Sequence, residues 1–349
     1  MAQNKNHHFV PKCHFKPFSL NEEGLCINAY HAPSGKVIRN ASISGQCSKS
    51  YFYGEDNKLE TALQGMEGLH ATAIRNIQRR NGKSEDDELF SFLRFTLLQH
   101  LRTEQAMRKI QQAQQQLVDT AFAGEAEQVH KPPPLSQREI IRMAMVILSD
   151  AADVADDLKT VVVRNESDLE FITSDDPAVH TNRYHIQRLG RTNFGLSNAG
   201  AMLLLPLSPK FLFLAYDGGC YTIPDKAGTI VSLSKRSDIQ DLNRLQILNC
   251  ASCLFFRNIN MADEVREQFK ENQESRITTW SAIEELVEFA TGKYRAVASS
   301  AESEASEMLH TSAQFPIPSG WPSFLQFRKP VRVVDTGTGA GVRRRSRTR

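Results

Sequence analysis

Two short polar segments carry the side chains best suited to chemistry: His7-His8-Phe9-Val10-Pro11 and, far along the chain, Thr173-Ser174-Asp175-Asp176-Pro177. Imidazole is both a neutral metal ligand and a proton carrier near neutral pH. Adjacent carboxylates suit Mg²⁺ or Mn²⁺, which take hard oxygen ligands. Each segment ends in proline, which pushes the residue before it out of the helical region, so both read as extended backbone entering a turn. In a strand His7 and His8 point to opposite faces, and only one of them faces a given pocket. His14 follows as a third imidazole. Asp175 and Asp176 also suit an Asx turn or cap, in which the carboxylate holds nearby backbone N–H groups.

Helical positions add further candidates. Glu60 and Glu67 stand two turns apart on one face, and Gln99 and Arg102 share a face at i, i+3. Arg102 suits a buried ion pair or a clamp on developing negative charge. Three uses compete for these residues. A metal-dependent hydrolase, with phosphodiesters as candidate substrates, would use His8, Asp175, Arg102 and Glu67 in catalysis and His8, Asp175 and Asp176 as ligands to Mg²⁺ or Mn²⁺. It requires His8 and Asp175 to approach within side-chain reach. A non-enzymatic binding or regulatory module would use the same side chains as a structural hydrogen-bond network. A third reading binds nucleic acid through the C-terminal tail alone. The phosphate-loop, nucleophile-elbow and zinc-protease patterns do not occur in the chain.

The elements that must position these residues can be read from periodicity. Leu25–Tyr30 and Lys36–Ile43 flank a turn-rich stretch and suggest a hairpin. Leu59, Leu63, Met66, Leu69, Ile74 and Ile77 form an amphipathic stripe. Ser84 precedes an acidic first turn, and Leu89–Leu117 reads as one long helix, Gln-rich at its end. Residues 112–135 suggest a loop or a partner-binding excursion. A third helix is expected from Ser136 to about Leu158. Beyond residue 160 the texture turns to β: Thr160–Val163, Leu169–Thr173, Met202–Leu205, Lys210–Ala215 and Thr229–Leu233. Ser237–Phe256, Glu264–Asn272 and Ser281–Phe289 read as helices. The fold class that follows is α+β, a mixed or antiparallel sheet packed against three or more helices, with the early hairpin joining the later sheet. Residues 1–295 form one domain in this reading, 296–330 a linker and short C-terminal segment, and 331–349 a basic tail without fixed structure.

Bulk properties narrow the class. Six cysteines in 349 residues make no disulfide framework, and the lone Cys250-x-x-Cys253 lacks the second pair that a zinc ribbon needs. A polar N-terminus and the lack of an apolar run of ~18 residues predict a cytoplasmic protein without membrane contact. Residues 328–349 hold eight basic side chains against Asp335, so the remainder of the chain is acidic although the net charge is +2. Only residues 343–349 therefore suit a polyanion.

The order of these signatures resembles a bacterial family of unknown function, DUF4238. His8-Phe9-Val10-Pro11-Lys12 is similar to its opening motif. Ser50-Tyr51-Phe52-Tyr53, Leu59–Glu67, Gln99-x-x-Arg102-Thr103, Thr173–Pro177 and Leu205-Pro206-Leu207-Ser208-Pro209 are similar to its later ones. Asp176 stands where the family usually has Asn. The resemblance spans about residues 7–257 and implies a shared fold and site location, without an activity.

Overall fold

The computed structural model describes residues 5–55, 58–123, 131–290, 293–296, 307–334 and 341–343. The chain begins with β1 (Asn6–His8), the short helix α1 (Lys12–Phe15), the hairpin β2 (Cys26–His31) and β3 (Lys36–Ser42), and β4 (Ser48–Ser50). A helical block follows: α2 (Lys58–Arg79), α3 (Asp86–Arg102), α4 (Glu104–Ala121) and α5 (Gln137–Ala155). Then come β5 (Lys159–Asn165), β6 (Thr173–Ser174), β7 (Val179–Thr181), β8 (Met202–Ser208), β9 (Phe211–Tyr216), β10 (Tyr221–Thr222) and β11 (Ile230–Leu233). Helix α6 (Arg236–Asn249), β12 (Cys253–Phe256) and α7 (Ala262–Asn272) precede the C-terminal strands β13 (Ser281–Ala290), β14 (Lys293–Ala296), β15 (Glu307–Ala313), β16 (Gln326–Phe327), β17 (Val333–Val334) and β18 (Val342–Arg343). The fold class is α+β, as the sequence predicts.

The central sheet runs β11-β5-β9-β8-β7; only the β11–β5 pair is parallel. Its strands β7, β8 and β9 are buried on both faces. Val161, Val163, Met202 and Leu204 pack into the cluster that holds Leu242 and Leu245 of α6 and Phe269 of α7. Val162, Leu203, Leu205 and Phe213 point the other way, onto Phe92 and Leu93 of α3 and Ile74 of α2. This two-sided burial explains why the strands read as continuous apolar runs. The α2–α3 turn is fixed against the sheet at Gly82, where φ is +91° and a Cβ would stand 2.6 Å from Ile230 Cδ1. A second sheet, β3-β2-β12-β6, joins the early hairpin to the later chain.

Five expectations are corrected. The long helix 89–117 is two helices, because Thr103 is extended (φ −72°, ψ 162°) and caps α4 through its side chain. Cys253–Phe256, expected as helix, is β12, paired with both β2 and β6. Ser281–Phe289, also expected as helix, is a strand between β14 and β15. The supposed linker holds β15, and Leu325 beyond it is buried in the core cluster with Phe324 and Phe327 packed beside it. The tail is corrected with it: β17 and β18 pair antiparallel, and the buried Arg343 reaches Asp157 at the end of α5. Residues 335–340 and 344–349, and 297–306 of the linker, lie outside the described residues. Among the described residues no helix is long and apolar enough to cross a membrane.

Candidate functional site

The two histidines of the opening motif part as β geometry requires. β1 pairs with β4, placing His7 opposite Lys49 and His8 opposite Ser48. The His7 ring is buried, accepts the Tyr53 backbone N–H at 3.1 Å and stacks on the Tyr53 ring. The His8 ring turns outward and donates to the Ser44 carbonyl at 3.3 Å. It borders a cavity of about 250 Å³ whose wall includes Lys12, Cys13, Glu60, Gln64 and Glu67. Glu60, Gln64 and Glu67 come from one face of α2 at i, i+4, i+7.

The cavity is electrostatically mixed. Burial, and then the Lys12 ammonium, lower the His8 pKa below its ordinary value, which keeps the ring neutral at pH 7. Burial raises the Glu60 carboxyl, and the Glu67 charge adds to the rise. Burial likewise pushes the Cys13 thiol up to about 12, so it is not a thiolate nucleophile.

Arg102 lies behind this cavity, fully buried at the end of α3. Its Nε donates to the Phe9 carbonyl at 3.2 Å, and its Nη2 donates to the His8 carbonyl at 3.1 Å and to Glu67 Oε1 at 2.7 Å. Gln99 Nε2 donates to the same Phe9 carbonyl at 2.7 Å. One helical turn thus carries the donors that hold the strand after His8. The next residue faces the other motif: Thr103 Oγ1 donates to Asp176 Oδ1 at 2.8 Å, and Lys109 Nζ meets Asp176 Oδ2 at 2.9 Å.

Asp175 has a different role. Its carboxylate accepts the backbone N–H groups of Ala251, Ser252 and Cys253 at 2.8, 2.8 and 3.0 Å. It therefore shapes the chain between α6 and β12. Burial nevertheless pushes its pKa up to about 6, against the pull of the three amides. The sequence-predicted set therefore divides. His8 and Glu67 share the cavity. Arg102 supports it from behind, and Asp175 and Asp176 do not line it. His8 and Asp175 make no hydrogen bond to each other, each being bonded to backbone elsewhere. The proposed Mg²⁺ or Mn²⁺ ligands His8, Asp175 and Asp176 do not converge. Among the described residues no group of three or more His, Cys, Asp or Glu side chains is arranged to hold a metal ion.

The polar residues of α6 and His70 escaped the sequence reading, whereas His14 was among its candidates. Asn243, Gln246 and Asn249 of α6, spaced by three, bind the backbone of Glu170, Pro177 and Asp176. Their spacing by three, beside the buried apolar row Leu242, Leu245 and Leu248, was the available signal. His14 Nε2 meets Thr173 Oγ1 at 2.8 Å, and its ring stacks on that of His70, which lies 3.6 Å from the Phe95 ring. His14 Nδ1 and both nitrogens of the buried His70 have no hydrogen-bond partner among the described residues.

The family described as "Protein of unknown function (DUF4238)" matches residues 6–260. The chain belongs to the DUF4238 family. No curated protein and no solved structure matches it. The matched span takes in the opening histidines, the Gln99–Thr103 turn and the Asp175-Asp176 turn, so the network described above lies wholly within the DUF4238 region.

Proposed function

We propose that this DUF4238 chain is a non-enzymatic binding or regulatory module, in which the His/Asp/Arg cluster is a structural network. One observation carries the reading. The polar side chains of the three signature segments are engaged by one another and by backbone: Gln99 and Arg102 by the carbonyls of His8 and Phe9, Asp176 by Thr103 and Lys109, Asp175 by three amides. The Arg102 guanidinium spends Nε and Nη2 on two carbonyls and Glu67, and only its buried Nη1 has no hydrogen-bond partner among the described residues, so little of it is left to meet a developing phosphoryl charge. Calorimetric titration of Mn²⁺ should give no saturable binding to wild type. Asp175→Ala should lower stability by about 3 kcal/mol, because three amides lose their acceptor. Saturable Mn²⁺ binding that disappears in Asp175→Ala would return the metal-dependent hydrolase.

A second reading is favoured by the opposite shifts of His8 and Glu60 around one cavity. A neutral imidazole beside a carboxyl of raised pKa is an acid–base arrangement that works without metal. Glu60 and Glu67 against Lys12 and the Arg102 behind them leave no net positive charge for an anionic phosphodiester, so the substrate of this reading is a neutral ester or amide. Hydrolysis of p-nitrophenyl acetate in EDTA, lost in His8→Gln, is its test. Nucleic-acid binding through the tail has less to draw on, since the Arg343 side chain is buried against Asp157.

A further inference from the structure

On the outward side of the helical block, α3 forms the floor of a trough walled by α2 and α5. Its cavity is about 690 Å³. Met66 and Leu69 come from α2, Phe90 and Leu97 from α3, and Met145 and Leu148 from α5. Two rim side chains stand in water: Leu69 is 65% exposed and Phe90 51%. Along α3 the lining runs from Asp87 to Leu97, ten residues or ~15 Å of helix.

Charge is distributed unevenly along this length. Helices α3 and α5 run antiparallel: Leu98 shares a cluster with Ile140, Ile141 and Ala144, whereas Leu89 shares one with Ala155 and Leu158. Asp87 and Asp153 therefore line the same end of the trough, and the exposed Asp86 adjoins them. Among the described residues Arg94 is the one basic side chain of the lining, and it lies mid-floor with its guanidinium 4.9 Å from the Phe90 ring.

We infer that this trough seats an amphipathic helix of a partner protein, about three turns long, with lysine or arginine flanking its apolar face at the Asp87–Asp153 end. The remaining helix of the block, α4, does not line this channel, so a further helix laid over α3 would cover it. A helix laid in a groove buries a ridge of i, i+3, i+4 and i+7 side chains, which matches the length here. A small ligand would fill the floor and leave Leu69 and Phe90 wet; a helix covers both. The acidic end selects the sign of the flanking charge. The inference names a partner for the binding-module reading and rests on it; the Mn²⁺ titration tests that reading separately.

The test uses the full chain and two labelled 14-residue helical peptides, each with leucine on one face and either lysine or glutamate on the flanks. Fluorescence anisotropy should show saturable one-to-one binding of the lysine peptide, at least tenfold tighter than the glutamate peptide. Leu69→Ser combined with Phe90→Ser should weaken it at least tenfold. Asp87→Asn with Asp153→Asn should weaken it several-fold, and the remote Leu25→Ser should leave it unchanged. All substituted residues are solvent-facing, and an unaltered melting temperature verifies that each variant is folded. Absence of saturable binding, equal binding of both peptides, or indifference to Leu69→Ser and Phe90→Ser would overturn the inference. A wild-type dimer that Leu69→Ser and Phe90→Ser dissociate would assign the trough to a second copy of the chain, and would also overturn it.

Discussion

Single side chains decide this molecule's pH behaviour. The His14 ring is fully buried among Phe15, Phe18, His70 and Thr173, with the Arg102 charge nearby, and its pKa falls to about 3. Burial lowers His70 too, and the His14 charge adds to it; its other neighbours are Phe92 and Phe95. The unfolded chain takes up these protons near pH 6.5, whereas the folded chain resists them until far lower pH. The folded state thus keeps this contribution in full above about pH 6.5 and loses it progressively as pH falls toward 3. At pH 4.5 one ring accounts for about 3 kcal/mol of lost stability. Urea unfolding of wild type at pH 7 and 4.5 should show the loss, and His70→Phe should shrink it. The variant also removes two unpartnered buried nitrogens, so it should be at least as stable as wild type at pH 7. An unchanged pH slope in His70→Phe would remove His70 from this account. Asp175 adds a weaker trend of opposite sign: its raised pKa means the folded state holds its proton up to about pH 6, so stability from that group declines as pH rises through 4 to 6.

Elements are positioned by residues that serve two of them at once. Thr103 ends α3, accepts the Ala106 N–H at 3.0 Å to start α4, and donates to Asp176 across the core. Thr103→Ala should cost about 2 kcal/mol, roughly 1 for the cap and the rest for the unpaired buried carboxylate oxygen. Chemical denaturation measures this, and a change below about 0.5 kcal/mol would contradict it. Such double roles also mark the limit of the sequence. The start of α5 is legible because Ser136 and Glu139 form a capping box within four residues. The strands β8 and β9 are legible because burial on both faces leaves unbroken apolar runs. β12 is not: its four apolar residues continue the spacing of α6, and the break depends on Asp175 binding amides 76 to 78 residues away. β13 is illegible for the same reason, its state being set by pairing with β15. The site divides likewise. His8 was legible as an imidazole at a strand end, and Glu67 as a carboxylate sharing a helix face with Glu60. The engagement of Arg102 with the carbonyls of His8 and Phe9 was not, because sequence names a side chain but not the remote backbone it binds. Even the Gln-rich part of α4 has a partner inside the chain: Gln112 donates to the Thr278 carbonyl and accepts the Trp280 N–H.

At the scale of the whole molecule, the C-terminal segment ties distant layers together. Residues 314–334 cross the central sheet's outer cluster, where Leu325 is buried and Phe324, Phe327 and Val333 pack against it. The chain then reaches Arg343, whose guanidinium is hydrogen-bonded to Asp157 and to the carbonyls of Val154 and Leu196. Asp157 follows α5, whereas Leu196 precedes β8, so one side chain joins the helical block to the sheet. The Arg343 side chain is 2% exposed and Asp157 15%, and removing one partner of a buried pair leaves the other charge uncompensated, at a cost of about 3–5 kcal/mol. Arg343→Met should therefore lower the melting temperature by several degrees and increase hydrogen exchange at the C-terminal end of α5. Restoring apolar balance with Asp157→Leu in the same chain should recover part of the loss, because the pair's own net contribution is small compared with the penalty for breaking it. If Arg343→Met instead melts like wild type, with the same exchange at Val154–Asp157, this arginine belongs functionally with the basic residues after it and not with the fold. The polyanion-binding reading of the tail would then regain its strongest member.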